Sequence, residues 1–299
     1  DQDIDSATVF VRNANHAMLS AKRSSTQSIV VFSDEVEGVY LRKVHLRDKL
    51  HRALRADELD VAYQPIINNS TGKIAKFEAL ARWHDPELGT IYPDEFIAIA
   101  EEFGLISLLG QFVLDRALAD LYSLHSKGYA DVGMAVNRSA SEFNHLLQPV
   151  EHIIQALKRH DIETDKLTIE VTESASINAQ HQVDSQLNKL REQGVKVALD
   201  DFCTGYSSLS HLIDVRADYI KIDKSFTQEI LTKRKHQVVI ASVIKIASEL
   251  QMEVIAEGVE ALEQQQVLLQ YGCHFSQGYY YSKPVPLVNA IELLRKYNN

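Results

Sequence analysis

Ten polar side chains fall at or near the ends of β-rich runs spread along the chain: Glu78, Asn137, Glu170, Glu173, Asp200, Asp201, Lys221, Asp223, Glu257 and Gln277. Most are carboxylates. Carboxylates gathered in one place repel one another and lose hydration, a penalty with no structural return unless cations share the site. The candidate ligands are oxygen donors only, a set that selects Mg²⁺ or Mn²⁺, or the larger Ca²⁺, over zinc. The adjacent pair Asp200-Asp201 can serve two ions from one strand end. Two ions about 3.5–4 Å apart are the usual apparatus for hydrolysing a phosphate ester. Lys221 would then orient the attacking water or balance developing charge. The rival chemistries are poorly supplied. His84, His211 and His274 are candidates for the same region but show no HExxH-type spacing, and Cys203 and Cys273 show no CxxC.

For these groups to converge, the chain must bring many strand ends together. From Asp60 onward, short β-rich runs alternate with helical stretches. Eight strands are expected: Val61–Ile66, Ile74–Arg82, Gly133–Asn137, Leu167–Thr172, Val195–Asp200, Tyr219–Asp223, Glu253–Ala256 and Gly272–Phe275. Helices are expected from Pro93 and over Ile106–Ser126, Pro149–His160, Ala179–Gln193, Arg234–Leu250, Ala261–Gln270 and Val288–Lys296. The alternation predicts an α/β fold, a (β/α)8 TIM-like barrel, whose site lies at the carboxyl ends of its strands. The turn at Asn68-Asn69-Ser70-Thr71-Gly72 is too short for a parallel crossover, so the first strand should run antiparallel to the second. Lys221 and Asp223, two apart on one strand, should both face inward, with Ile222 toward the helices.

Ahead of the barrel, Ala7–Ala21 reads as a helix and Ser28–Phe32 as a short strand, too little to bury a core. A charged connecting helix is expected over Tyr40–Leu59, with Leu46, Leu50 and Leu54 along one side. A boundary near Val44 divides the chain into 1–43 and 44–299. The 299 residues are 45% hydrophobic, enough for one large core or two smaller ones. Lys and Arg number 31 against 41 Asp and Glu, and the net charge of −10 gives no sign of a basic groove for long nucleic acid, although a local cationic site is compatible with it. No run approaches the roughly 18 apolar residues of a membrane helix, so no membrane contact is expected of this fragment. Two cysteines make no disulfide framework and fit a reducing, cytoplasmic compartment. The start at Asp1 reads as a piece of something longer, to which any membrane anchor would belong.

The run Glu78-Ala79-Leu80-Ala81-Arg82-Trp83 resembles the EALxRW signature of EAL-domain cyclic di-GMP phosphodiesterases. The resemblance continues in order and spacing through Gln64-Pro65-Ile66, Asn137-Arg138-Ser139, Glu170-Val171-Thr172-Glu173, Asp200-Asp201-Phe202, Lys221-Ile222-Asp223-Lys224, Ala256-Glu257-Gly258-Val259-Glu260 and Gln277-Gly278-Tyr279. It implies a barrel with an antiparallel first strand, two Mg²⁺ or Mn²⁺ ions, inhibition by Ca²⁺, a homodimer through the barrel, and hydrolysis of cyclic di-GMP to linear pGpG. By family position, Glu78, Asn137, Glu170 and Asp200 are ligands of one metal. Asp200, Asp201, Asp223 and Glu257 surround the second metal and the water. Lys221 matches the lysine next to that water, Gln277 a glutamine close to the site, and Gln64 and Arg82 substrate contacts. Glu173 matches the glutamate that positions the loop after the fifth expected strand. Trp83 is read as packing rather than base stacking.

Two features bear on the choice between an enzyme and the alternative, a non-catalytic cyclic di-GMP receptor that signals to a partner. The chain keeps the metal set implied by the resemblance, which favours the enzyme. Where the family reads DDFGTGYSS, however, this chain reads Asp200-Asp201-Phe202-Cys203-Thr204-Gly205-Tyr206-Ser207-Ser208. A cysteine forced to positive φ in place of glycine would carry about 1–2 kcal/mol of strain. The segment from Arg12 to Lys22, with Ile29–Phe32, resembles the end of a GGDEF domain without its signature, so no cyclase activity is expected here.

Overall fold

The computed structural model describes Met18 and residues 34–145, 149–172, 180–203 and 216–298. The expected GGDEF-like helix and strand, Glu173 and His211 lie outside the described residues. Contacts divide the chain into two units, Asp1–Glu58 with Tyr92–Leu105, and Leu59–Ile91 with Ile106–Asn299.

The first unit contains two helices. Helix α1 covers Asp34–Arg55 and carries Arg52 and Arg55 in its last turn, where the negative end of the helix dipole favours cations. It starts earlier than the sequence pattern indicated and stops short of Leu59. The stop follows from Asp57, at φ 58°, since a short polar side chain tolerates the left-handed region. The expected boundary near Val44 falls inside this helix. Helix α2, Pro93–Glu102, opens with proline and the acids Asp94 and Glu95. Arg42 of α1 grips Glu95 with Nε to Oε1 at 2.7 Å and Nη2 to Oε2 at 3.1 Å, and Lys43 reaches Glu102 at 3.0 Å.

The second unit is a closed barrel. Its strands are β1 (Asp60–Asn68), β2 (Ile74–Asp85), β4 (Gly133–Asn137), β5 (Leu167–Thr172), β6 (Lys196–Phe202), β7 (Tyr219–Ile222), β8 (Glu253–Ala256) and β9 (Phe275–Gln277). They pair in the order β1-β9-β8-β7-β6-β5-β4-β2, and β1–β2 pairing closes the ring. β1 runs antiparallel to both β2 and β9, while the other pairs are parallel, as the short turn after β1 requires. A three-residue strand, β3 (Gly89–Ile91), lengthens β2 into a hairpin and was too short to read from the sequence. Inside the barrel, Ile66, Ala135 and Ile255 form a buried cluster with Tyr219 and Phe275 packed against it.

The outer elements are α3 (Ile106–Ser126), α4 (Ala140–His145), α5 (Pro149–Arg159), a 3-10 turn at Thr164–Lys166, α6 (Gln180–Glu192), α7 (Lys224–Gln228), α8 (Arg234–Glu249), α9 (Leu262–Gln270) and α10 (Leu287–Tyr297). Two strand ends differ from expectation in ways that matter for the site. β7 stops at Ile222, because the Asp223 carboxylate accepts a hydrogen bond from the Ser225 amide and caps α7. β9 is Phe275–Gln277 rather than Gly272–Phe275, because Ile66 pairs with Gln277 and Asn68 with Phe275 across β1. Among the described residues, no helix is long and apolar enough to cross a membrane.

Candidate active site

The alternation of strands places one polar residue from each of several neighbouring strands on the barrel interior near the carboxyl ends. Glu78 of β2 lies opposite Gln64 of β1, and Asn137 of β4 lies beside Glu170 of β5. At the centre sits Lys221 of β7, with its side chain 1% exposed. Its Nζ lies 2.7 Å from Glu170, 2.8 Å from Glu257, 3.2 Å from Asp200 and 3.5 Å from Glu78. The Glu78 carboxylate is held from two further sides. Asn137 Nδ2 donates to its Oε1 at 2.6 Å and Gln277 Nε2 donates to its Oε2 at 2.6 Å. Gln277 Nε2 also reaches Gln64 Oε1 at 3.0 Å, and Gln64 Nε2 donates to the Ser282 carbonyl at 3.2 Å.

This packing sets the charges. Burial opposes ionisation of Glu78, but Lys221, Gln277 and Asn137 outweigh it and hold the carboxyl below its ordinary value. Glu170 goes the other way. Fully buried and facing Glu78 and Asp200, it is pushed well up despite Lys221. Burial also raises Glu257, to about 8, against the pull of Lys221 and with the charges of Asp200 and Glu78 adding to the rise. Burial and then Asp200 and Asp223 raise Asp201. Lys221 is raised because its carboxylate neighbours overcome desolvation. One ammonium does not neutralise this many acids, and the acids respond by holding protons.

The donor set fits hard divalent cations. Asp200, Asp201 and Glu257 each offer an oxygen within 4.8 Å of the others. Glu170 Oε1 and Gln277 Oε1 are buried with no hydrogen-bond partner among the described residues. Oxygen donors, excess negative charge and unpaired buried acceptors are together what a hard cation relieves.

Backbone geometry keeps the mouth open. Gly258 follows Glu257 at φ 66°, and a Cβ there would come within 2.3 Å of Lys224 Cβ. At Gly278 a Cβ would meet Val259 O at 2.1 Å, so the glycine lets the two loops exchange backbone hydrogen bonds, Val259 N to Gln277 O and Tyr280 N to Val259 O, both at 3.0 Å. Above them opens a pocket of about 270 Å³, lined by Gln64, Glu78, Glu257, Gln277, Lys224 and Tyr279 among others.

Most of the expected residues therefore meet. Gln64, Glu78, Asn137, Glu170, Asp200, Asp201, Lys221, Glu257 and Gln277 form one connected group, and Gln277 ends β9 instead of following it. Asp223 stands next to the group as a helix cap rather than as an inward strand residue. Arg82 is half-buried at the edge and donates to its neighbour's carbonyl, Ala81 O, at 2.8 Å. Trp83, 2% exposed, is a packing residue as expected. Of the rival histidines, His84 is exposed and sits on the β2–β3 hairpin beside Thr90. His274 pairs with Glu253 at the amino end of β8, away from the site. Tyr279, 59% exposed on the pocket wall, and Lys224 beside it were not singled out from the sequence, though both stand inside motifs that were. Cys203 adopts φ 77°, and Asp201 φ 55°.

Comparison with known proteins agrees with this geometry. Residues 47–284 match the model of the EAL domain. Cyclic di-GMP phosphodiesterase NbdA of Pseudomonas aeruginosa is 36% identical over 288 residues, which is 96% of this chain and 37% of NbdA. The chain thus spans well under half the length of that relative. Among solved structures, the PaMucR phosphodiesterase in complex with c-di-GMP superposes with a TM-score of 0.77 at 35% identity, covering 82% of this chain and 99% of the other. The calcium/c-di-GMP complex of Klebsiella pneumoniae BlrP1 gives 0.68 at 31% identity, covering 76% of this chain and 56% of BlrP1.

Proposed function

Because this chain belongs to the EAL domain family, we propose that it hydrolyses one phosphodiester bond of cyclic di-GMP, with water as the nucleophile and linear pGpG as the product. The observation that carries the reading is Lys221, buried among Glu78, Glu170, Asp200 and Glu257, two of which, Glu78 and Glu257, line an open pocket. The names of NbdA and PaMucR, and the cyclic di-GMP in the PaMucR and BlrP1 complexes, support the same substrate.

Two Mg²⁺ or Mn²⁺ ions would be held by Glu78, Asn137, Glu170 and Asp200 on one side and by Asp200, Asp201, Asp223 and Glu257 on the other. When bound, they supply Lewis acidity to the phosphate and to the attacking water. The residues of the chain do the rest. Asn137 and Gln277 fix both oxygens of Glu78, so that carboxylate keeps one orientation. Lys221 donates toward Glu170 and Asp200 and would lie beside the attacking water, its charge offsetting the negative charge that builds on the phosphate. Glu257, 2.8 Å from Lys221, would take the water's proton in its ionised form, which a cation beside it favours. Gln64 and Gln277 floor the pocket, Arg82 meets a phosphate at the rim, and Tyr279 offers an exposed ring for a guanine face. Ca²⁺, with its larger radius and looser geometry, would be held by the same carboxylate oxygens without supplying an aligned water, and is expected to inhibit. The same reading includes a homodimer through the barrel, a cytoplasmic location, Glu173 as the residue that positions the loop after β6, and residues 1–43 as a GGDEF-like remnant without cyclase activity.

Chromatography after incubation of cyclic di-GMP with purified protein tests the reading. Mg²⁺ or Mn²⁺ should yield pGpG, while EDTA, Ca²⁺ or Glu78→Ala should leave the substrate intact. Intact cyclic di-GMP that stays bound with either activating metal present would make the chain a receptor instead.

A further inference from the structure

We propose that Lys76, buried one layer below the carboxylates of the candidate active site, is a positioning residue of that site: its ammonium is a fixed positive charge that weakens the hold of the acids on divalent cations. The proposal rests on the two-metal reading above and names what sets the affinity of the site for its ions.

The alternation of strands puts Lys76 in this place. Lys76 and Glu78 are two apart on β2, Thr168 and Glu170 two apart on β5, and Tyr219 and Lys221 two apart on β7. Residues two apart on a strand share a face and lie about 7 Å apart along it. Lys76, Thr168 and Tyr219 therefore form a floor directly under Glu78, Glu170 and Lys221. The floor is closed over its charge. Lys76 is 6% exposed, its Nζ donates to Thr168 Oγ1 at 3.1 Å, and the same Nζ stands 3.6 Å from the centre of the Tyr219 ring. Phe275 holds that ring edge to face. Gly133, the register partner of Lys76 on β4, keeps space beside it, since a Cβ there would lie 3.0 Å from the Lys166 carbonyl oxygen and 3.5 Å from Lys76 Cβ.

Neither contact neutralises the ammonium. A hydroxyl and a ring face stabilise a cation without discharging it, and among the described residues no carboxylate forms an ion pair with Lys76. Burial works against the charge. Glu170, in the layer above, does most to retain it, while Lys196 and Lys221 oppose it. Such coupling is reciprocal, so a charge that feels Glu170 and Lys221 acts in turn on a cation placed beside them. Buried as it is, the interaction is little screened by salt. Lys221 and Lys76 therefore differ in kind. Lys221 lies 2.7 Å from Glu170 and 3.2 Å from Asp200 and shares their oxygens with any bound ion. Lys76 takes no oxygen from the site and acts on it through its field alone.

Binding of Mn²⁺ to the chain without substrate, read at pH 7 from the electron paramagnetic resonance of the free ion, tests the proposal apart from turnover. Lys76→Met and Lys76→Gln each remove the charge, and both should bind Mn²⁺ about tenfold more tightly than the unsubstituted chain. Lys76→Arg keeps the charge and should keep the affinity. Displacement of Mn²⁺ by Ca²⁺ separates charge from shape. A field acts alike on ions of equal charge, so both affinities should rise by the same factor, whereas a distorted site would favour the ion with the looser geometry. Circular dichroism melting shows which charge-free variants fold, and either one suffices. Equal or weaker Mn²⁺ binding in a folded charge-free variant, or a gain confined to one ion, overturns the proposal and leaves the two-metal reading standing. Absence of Mn²⁺ binding by the unsubstituted chain removes that reading and the proposal with it.

Discussion

At the level of single residues, Cys203 is the most informative position. It holds φ 77° two residues after Asp201, itself at φ 55°, so consecutive turns of backbone beside the carboxylate pair are in the left-handed region. Asp tolerates that region through local hydrogen bonding, whereas cysteine meets the full Cβ clash. Cys203→Gly should therefore stabilise the native chain by about 1 kcal/mol, the relief of strain being partly offset by the greater freedom of glycine in the unfolded state. The midpoint of urea unfolding reads this, and a lower midpoint in the variant would show that the cysteine side chain contributes more than its strain costs. The two thiols should also separate chemically. Cys273 is 0% exposed, bonded to the Val254 and Phe275 carbonyls, and pushed by burial up to about 12. Since the thiolate is the nucleophile, Ellman's reagent at pH 8 should titrate Cys203 in the native protein and Cys273 only after unfolding. The strain at Cys203 was legible as a conditional, because a glycine-rich loop motif with one glycine replaced has few ways to relax. The buried Arg138–Glu142 ion pair was not, because an i,i+4 pair has the same spacing whether it faces water or lies buried.

At the level of elements, the barrel strands were read mainly from β-branched runs between turns, and β4, β5 and β8 have the expected limits. The errors have local causes. A capping hydrogen bond removes Asp223 from β7, and pairing with β1 moves β9 toward Gln277. Neither is visible in hydrophobic periodicity, which does not report on side chain to backbone bonds or on a partner strand over two hundred residues away. The strands also bury a charge that periodicity would not place inside. Lys76 of β2 donates to Thr168 Oγ1 at 3.1 Å, stands 3.6 Å from the Tyr219 ring centre, and is lowered by burial to about 8, with Glu170 and Asp218 opposing and Lys196 and Lys221 assisting. With the folded value below the unfolded one, the native chain binds fewer protons than the unfolded chain from pH 8 upward, so this lysine makes stability rise with pH. Tyr219, raised by burial to about 12, takes stability away only above pH 10. Between pH 8 and 10, Lys76 should contribute a gain of about 2 kcal/mol. Cys273, raised to about 12, lowers stability above about pH 9 in the unsubstituted chain and in Lys76→Met alike. The effect is therefore read as the difference between their denaturant midpoints. The unsubstituted chain should gain on Lys76→Met between pH 8 and 10, and a difference that does not change with pH would place the proton elsewhere.

At the level of the whole molecule, the barrel gathers acids from many strands around one buried lysine, and the chain pays for that crowding with raised carboxyl values at Glu170, Asp201 and Glu257. Such an arrangement is poor for stability and well suited to holding cations, a water and a phosphate together. Removal of the acids should therefore separate stability from activity. Glu170→Gln should leave the melting temperature unchanged or higher in EDTA while lowering the stabilisation that Mg²⁺ brings, and a large loss of stability in EDTA would show that the carboxylate serves the fold. The fold class, the antiparallel entry strand and most of the site were legible from strand-end acids and the order of the motifs. The closing of the glutamine and asparagine network around Glu78 was not, since hydrogen bonds among side chains from distant strands leave no spacing to read. The most direct test of the account is mass spectrometry of the product formed from cyclic di-GMP in ¹⁸O-enriched water with Mg²⁺. The account predicts pGpG with one ¹⁸O in its terminal phosphate, and unlabelled product or recovery of unchanged, bound cyclic di-GMP would contradict it.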